Sequence, residues 1–438
     1  MNRGKGAVIT AVSSDTFFAA ATLCMRFLEL RCEFFKDFII VVDDKSRLSE
    51  KDIEIITSLS TNVNKIIILN GQDILPQINI DNVNFSKFIS YYTEMVLVKL
   101  FIPRLFGPAR PACLQPYDKV LWLDSDTLPL ENFDDIVLKD SLAVSACAGG
   151  KLGDVAGEYF WDFNLEMSTE DIQPNGGVIL FSKQAFSKLL IDEHYDKFYC
   201  ETMFRCIDFV SKKTWKMIDE LSILIALKSL HITLSFIDST FNYRATWPIR
   251  KVKIIHAIGG KSKFWNNPFI NLRYREWQMA YNQWVSLGGG GLDVPPHNNC
   301  LCSSKDIFND LVIKEQWRNF WGDIFGKIKY SNSHLWISMT IDSDKCRLGF
   351  KNPEIAKSSI ITIQSKDNQF LLTLSIKKDQ IGSLTLSKLI IFSKRCPHLK
   401  IFENSKFALI EFADSIAIKQ LSECIDKLCN LAIFAHEI

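Results

Sequence analysis

The stretch Tyr117–Leu130, YDKVLWLDSDTLPL, decides how the chain is read. Lys119–Leu123 is a short, nearly all-apolar run, the pattern of a strand buried on both faces of a sheet. It ends in Asp124-Ser125-Asp126. Two carboxylates one residue apart at the end of a buried strand need compensation, because uncompensated charge there costs several kcal/mol or more. A hard divalent cation, which prefers oxygen ligands, is the usual compensation. Ligands of open α/β sheets sit beyond the carboxyl ends of strands, where this pair falls. A bare Asp-x-Asp also reads as a surface turn with one acid capping the next segment. The buried strand before it and the motifs elsewhere favour a site.

Outward from this stretch, strands are expected at Ala7–Val12, Phe38–Val42, Lys65–Leu69, Leu142–Ala146, Gly177–Phe181 and Lys253–His256. Helical patterns occupy Thr16–Leu30, Ser49–Leu59, Tyr91–Phe101, Met217–Leu230 and Asn271–Leu287. Alternating strands and helices predict an α/β unit with a mostly parallel sheet covered on both faces. Right-handed crossovers then bring the turn Ser13-Ser14-Asp15 and the Asp124 pair to one edge, with room for a nucleotide between them.

A second collection of chemistry is His256-Ala-Ile-Gly-Gly-Lys-Ser-Lys-Phe-Trp265. His256 ends a strand and, as a neutral imidazole, could complete a metal site. Gly259 and Gly260 allow close backbone approach, and Lys261 and Lys263 favour an anion. Asp219 and Glu220 open a helix, where the helix dipole alone would suit them.

At 438 residues the chain exceeds one ordinary core, so two domains are the default. Expected divisions are an α/β domain over 1–287, a Gly/Pro linker over 288–304, an amphipathic helix over 305–330 and a β-rich domain with a final helix over 331–438. In the last of these, Ile337, Met339 and Ile341 alternate with polar residues, as do Leu372, Leu374 and Ile376, and as Leu384 does with Leu386. That is the period of half-buried antiparallel strands, and Ile416–Phe434 reads as the closing helix. Phe308, Leu311, Val312, Phe320, Trp321, Ile324 and Phe325 fall at helical spacing with basic residues interleaved. That helix suits either a core-facing role or peripheral contact with a membrane through 305–328.

Composition is globular, with 47% hydrophobic and 23% charged residues. A net charge of +1 gives no argument for nucleic acid as a partner. Twelve cysteines are scattered without a zinc pattern, and Cys24, Cys147 and Cys206 lie in apolar company. Reduced thiols and a cytoplasmic location are expected. The opening MNRGKGAVITAV shows no signal-peptide apolar region, and no later run has the length of a membrane span.

Taken together, the motifs resemble the family 8 glycosyltransferases, the group that includes glycogenin and bacterial lipopolysaccharide glucosyl- and galactosyltransferases. The resemblance covers roughly Ala7–Trp284 and keeps the family's order. It rests on VITAVSSDTFFAAATL (Val8–Leu23), Val98-Lys99-Leu100, Asp124-Ser125-Asp126, Asn175-Gly176-Gly177-Val178, Asp219-Glu220 and His256–Trp265. It implies a GT-A fold and retaining transfer of a hexose, glucose or galactose, from a UDP-sugar to a glycan or lipid-linked glycan acceptor. Asp124, Asp126 and His256 would hold Mn2+ or Mg2+. Ala11, Ser13, Ser14 and Phe17 would contact the nucleoside. Lys99, Asp124, Ser125, Gly259, Gly260 and Lys261 would meet the donor and its phosphates, and Asn175, Asp219, Glu220 and Lys263 would act at the transferred sugar and departing diphosphate. Two positions depart from the family: Glu220 replaces a glutamine, and the last motif has one extra residue and Phe264 in place of proline.

A nucleotidyltransferase of related architecture is a second reading, but the Gly-rich basic loop it usually carries after the first strand is missing at Ser13-Ser14-Asp15. A non-catalytic nucleotide-sugar or glycan binder is a third, against which the intact Asp124, Asp126 and His256 set argues.

Overall fold

The computed structural model describes residues 5–138, 141–155, 167–247, 251–260 and 262–291, together with the backbone of six strands between 336 and 412. Two compact units are resolved. The first comprises residues 1–243, 252–256 and 276–300; the second comprises 244–251, 257–275 and 301–438.

In the first unit the elements run β1 (Gly6–Val12), α1 (Phe17–Leu30), β2 (Phe35–Val42), α2 (Glu50–Ser58), β3 (Lys65–Asn70) and α3 (Val83–Tyr92). A long 3-10 helix (Glu94–Phe106) leads to β4 (Lys119–Leu123), β5 (Thr127–Pro129) and β6 (Ala143–Lys151). The short α4 (Leu152–Val155) precedes β7 (Ile172–Ser182), α5 (Tyr195–Lys213), α6 (Ile218–Ser229) and β8 (Thr233–Ile237). After the two-residue β9 (Tyr243–Arg244) come β10 (Ile254–His256) and α8 (Arg275–Ser286); α7 (Pro268–Arg273), between them in the chain, belongs to the second unit.

The main sheet has the order β3-β2-β1-β4-β7-β6-β8. Pairing is parallel for β3/β2, β2/β1, β1/β4 and β6/β8, and antiparallel where β7 meets β4 and β6. The sheet is therefore mostly parallel, as expected. Strands β1, β2 and β4 are buried almost throughout, which accounts for their continuous apolar runs.

Topology places the site. β1 and β4 are parallel neighbours, so Ser13 and Asp124 leave the sheet at one edge. Because β7 runs against β4, its early residues Asn175–Gly177 reach that same edge, and the Asp124 amide donates to the Gly177 carbonyl at 2.9 Å. β10 pairs antiparallel with β5, setting His256 opposite Thr127, one residue beyond Asp126.

Two helices differ from their expected bounds. The pattern over Tyr91–Phe101 straddles a break: α3 stops at Tyr92, Thr93 takes φ 66°, and a 3-10 helix follows. Leu97, Val98, Leu100, Phe101 and Ile102 are all fully buried, and a run buried all round carries no amphipathic period to fix its helix type. Pro103 also denies an α-helical hydrogen bond within it. The helix expected over Asn271–Leu287 begins only at Arg275; a separate short helix starts earlier at Pro268 and ends at Arg273. The buried Tyr274 donates its hydroxyl to the Ala245 carbonyl at 3.0 Å.

Gly288–Gly291, read from composition as the start of a linker, belong to the first unit. The Gly290 amide donates to Asp52 at 2.7 Å and its carbonyl accepts from the Trp284 indole at 2.8 Å. A Cβ on Gly289 would stand 2.1 Å from the Trp284 ring, so that approach needs glycine. The rest of the linker and the amphipathic segment 305–330 lie outside the described residues, as do Leu384, Leu386 and the final helix 416–434.

In the second unit, the backbones of β11 (Trp336–Ile341), β12 (Lys345–Asn352), β13 (Lys357–Lys366), β14 (Gln369–Lys377), β15 (Leu399–Glu403) and β16 (Phe407–Phe412) form an antiparallel sheet of order β11-β12-β13-β14-β16-β15. Among the described residues, no helix is long and apolar enough to cross a membrane.

Candidate active site

Asp124, Asp126 and His256 converge at the carboxyl end of β4, and one ligand atom from each lies within 4.8 Å of the others. His256 Nε2 stands 3.2 Å from Asp126 Oδ1 and 3.6 Å from Asp124 Oδ2. Asp126 and His256 are each 5% exposed.

A chain of hydrogen bonds fixes the imidazole's tautomer. The Gly177 amide donates to Asn175 Oδ1 at 3.1 Å, which identifies that atom as the oxygen. Asn175 Oδ1 also accepts from Asn242 Nδ2 at 2.5 Å, so the other Asn242 atom, Oδ1, is an acceptor. That oxygen lies 2.8 Å from His256 Nδ1, which must therefore carry a hydrogen. Nε2 is then the ring nitrogen that faces the two carboxylates, and when deprotonated it offers its lone pair to a cation between them. A divalent cation uses all three donors, so the residues fit a metal. Orientation of a ligating histidine through its other nitrogen is the usual support for such a site. Gly177 makes room for the ring: a Cβ there would lie 2.1 Å from it.

Lys99 lies beside the cluster at 2% exposure. Its ammonium is 3.1 Å from Asp124 Oδ1 and 3.0 Å from Asp219 Oδ2, and it donates to the Gly176 carbonyl at 3.2 Å. Burial alone would push its pKa down, but the carboxylates of Asp124 and Asp219 outweigh burial and hold it above the ordinary lysine range. A buried cation with two carboxylates at contact stays charged. The Trp122 indole donates to Asp124 Oδ1 at 2.7 Å, which leaves Oδ2 facing His256.

Asp219 and Glu220 sit in the first turn of α6. Glu220 Oε1 accepts from the Gly176 amide at 2.7 Å, whereas Oε2 is buried with no hydrogen-bond partner. Burial first, and then the charge of Asp219, pushes the Glu220 carboxyl up to about 8. Its surroundings therefore favour the neutral form of the carboxyl.

Toward β1, Ser13 is buried and bonded to Thr16, and the Ser14 amide donates to Asp43 Oδ1 at 2.7 Å. A cavity of about 570 Å³ opens there, lined by Asp43, Asp44, Lys45, Ser46, Asn70 and Gln72 at the carboxyl ends of β2 and β3. Ala11 is partly buried on β1. Phe17 is 4% exposed and meets Trp284 edge-on at 6.0 Å. Ser125 occupies the turn closed by the Thr127 amide on the Asp124 carbonyl at 2.9 Å.

The second unit holds Gly259, Gly260 and Lys263 in a turn. Asn266 donates to the Gly260 carbonyl at 2.6 Å and accepts from the Lys263 amide at 3.0 Å. Phe264, where the family has proline, is fully buried against Tyr274. Lys261 lies outside the described residues.

The structure thus brings together Lys99, Asp124, Asp126, Asn175, Asp219, Glu220 and His256 in one unit. The sequence reading missed Asn242 and Asp43. Asp43-Asp44 follows a buried strand just as Asp124 does, so that signal was available. Asn242 gave none.

A mostly parallel sheet with paired acids, an imidazole and a buried lysine at its carboxyl edge defines the class: a GT-A-like glycosyltransferase. The chain belongs to Glycosyl transferase family 8, whose sequence profile matches residues 8–268. Similar solved structures include the WbbM bifunctional glycosyltransferase, at 13% identity and TM-score 0.42 over 65% of this chain and 51% of that one. They also include GlyE of Streptococcus pneumoniae TIGR4, at 16% identity and TM-score 0.41 over 66% of each chain. A third is the galactosyltransferase LgtC in complex with donor and acceptor sugar analogs, at 15% identity and TM-score 0.42 over 64% of this chain and 99% of that one. The match therefore spans about half the length of WbbM and just under two thirds of GlyE. Comparison with curated proteins gave no match.

Proposed function

We propose that the protein transfers a hexose, glucose or galactose, from a UDP-sugar to a glycan or lipid-linked glycan acceptor, with retention at the anomeric carbon and dependence on Mn2+ or Mg2+. The observation that carries this reading is the Nε2 lone pair of His256 held toward Asp124 and Asp126 by the Asn175–Asn242 chain.

In the net reaction the acceptor hydroxyl oxygen bonds to the anomeric carbon. The bond from that carbon to the diphosphate oxygen breaks with its electron pair on UDP, and the hydroxyl proton is released. A cation at Asp124, Asp126 and His256, when bound, acts as a Lewis acid on the diphosphate. The protein's own residues do the rest. Lys99 keeps its charge in a buried setting and keeps Asp124 and Asp219 oriented, so positive charge is in place where negative charge develops. Asp219 and Asn175 orient the sugar. Ser13, Ser14 and the cavity beside Asp43 receive the nucleoside.

The test is product analysis with a panel of UDP-sugars and Mn2+. A transferase releases UDP from a UDP-sugar; a nucleotidyltransferase instead releases pyrophosphate from UTP and a sugar 1-phosphate, supplied in a parallel arm. Absence of UDP release from every UDP-sugar, with or without acceptor, overturns the proposal.

A further inference from the structure

Beside the acids of α6 lies an aromatic surface that the donor site does not use. Tyr91 and Tyr92, at the end of α3, are 44% and 47% exposed, and Trp215, just before α6, is partly exposed. The Tyr91 ring is 4.5 Å from Tyr92 and 6.0 Å from Trp215, each contact near edge-on. The ammonium groups of Lys87 and Lys216 lie 4.3 Å and 5.7 Å from the Trp215 ring centre. Scattered single aromatics on a surface need no explanation, but three joined through Tyr91 do.

Three further features connect this surface to the transfer chemistry. Each of its segments runs directly into a segment of the site: Tyr92 precedes the 3-10 helix that carries Lys99, and Trp215 precedes the helix that opens with Asp219 and Glu220. Both junctions are held by a non-glycine residue in the left-handed half of backbone space, Thr93 at φ 66° and Met217 at φ 56°. Such conformations persist only where the surroundings enforce them, and they cluster at functional sites. The Tyr92 phenol feels the acids: burial first, then Asp219, Tyr91 and Glu220, push it up to about 12.

We propose that Tyr91, Tyr92 and Trp215 form the seat of the acceptor, on which a pyranose ring stacks with its reacting hydroxyl turned toward the sugar held at Asp219 and Glu220. The inference rests on the transferase reading above. The occupant is a saccharide because the surface is both aromatic and polar. Ring faces take the apolar C–H face of a pyranose, while the phenols and the flanking lysines meet its hydroxyls. A lipid chain would gain nothing from two ammonium groups held over the Trp215 ring.

The experiment uses the full chain with Mn2+ and UDP, and octyl β-glucoside, octyl β-galactoside and octanol as probes, read by saturation-transfer NMR. Ring protons of at least one glycoside should receive saturation from the wild type and from Tyr91→Phe. That signal should be lost in Tyr91→Ala and Trp215→Ala, which retain the wild-type circular dichroism. With a UDP-sugar, the two alanine variants should raise KM for that glycoside about tenfold relative to any change in acceptor-free UDP-sugar hydrolysis, the loss of one good stacking contact. Saturation confined to the octyl chain, binding of octanol alone, no binding of either glycoside, or equal signals in the alanine variants each overturn the proposal. The NMR arm needs no turnover. Absent UDP release would therefore count against the transferase reading, whereas lost selectivity of the ring signal counts against the acceptor seat.

Discussion

Replacing Glu220 with glutamine should stabilise the protein, by an amount that grows with pH. The folded protein raises this carboxyl from 4.5 to about 8, chiefly by burial and then by Asp219. Between those values the folded chain keeps a proton that the unfolded chain has lost, so stability falls as pH rises, at about 1.4 kcal/mol per pH unit. At pH 7 the wild type has lost about 3 kcal/mol in this way, and above pH 8 the loss levels off near 5 kcal/mol. Glutamine keeps the oxygen that accepts from Gly176 but cannot ionise, so it escapes the loss. Its amide also gives the buried, unpartnered Oε2 position a group that needs no charge. The assay is urea denaturation of wild type and Glu220→Gln from about pH 5 to pH 9 in chelator, which keeps the Asp124 cluster free of metal. The two should converge near pH 5 and diverge up to about pH 8. Parallel midpoints across the range would refute the reasoning and mean that Glu220 is ionised in the folded protein at neutral pH.

Four other outcomes are expected. Asp126→Asn should abolish metal-dependent transfer with the fold intact by circular dichroism; full activity would remove Asp126 from the mechanism. Gly177→Ala should weaken Mn2+ binding, followed by electron paramagnetic resonance, because the new Cβ falls 2.1 Å from the His256 ring and the ring must move; unchanged affinity would show the ring has room to spare. Asn242→Ala should lower metal affinity by about 10- to 100-fold, as loss of an outer hydrogen bond to a ligating histidine does. Calorimetric titration checks this, and wild-type affinity would mean Nδ1 finds another partner. Lys263→Ala should slow transfer more than it weakens UDP binding; if binding alone suffers, Lys263 only anchors the nucleotide.

The strands were legible because β1, β2 and β4 are buried on both faces and so appear as unbroken apolar runs. The Asp124 pair stood out because charge at the end of such a run needs a reason. The junction at Thr93 was hidden because the residues after it are buried on every side, and a periodic pattern needs one wet face. Lys99 could be nominated by its motif, but a lysine among valines and leucines gives no hint of which carboxylates hold it.

From the sequence alone came the mostly parallel sheet, the acids at its edge and the histidine that joins them. These depend on local pattern and on chain order, which are written in the residues. Tertiary structure alone decided that Asn242 sets the tautomer of His256, that Gly177 leaves space for the ring, and that the Glu220 carboxyl is held above the usual carboxylate range. Each of these depends on distance and dielectric between segments far apart in the chain, and neither quantity exists until the sheet has brought them together.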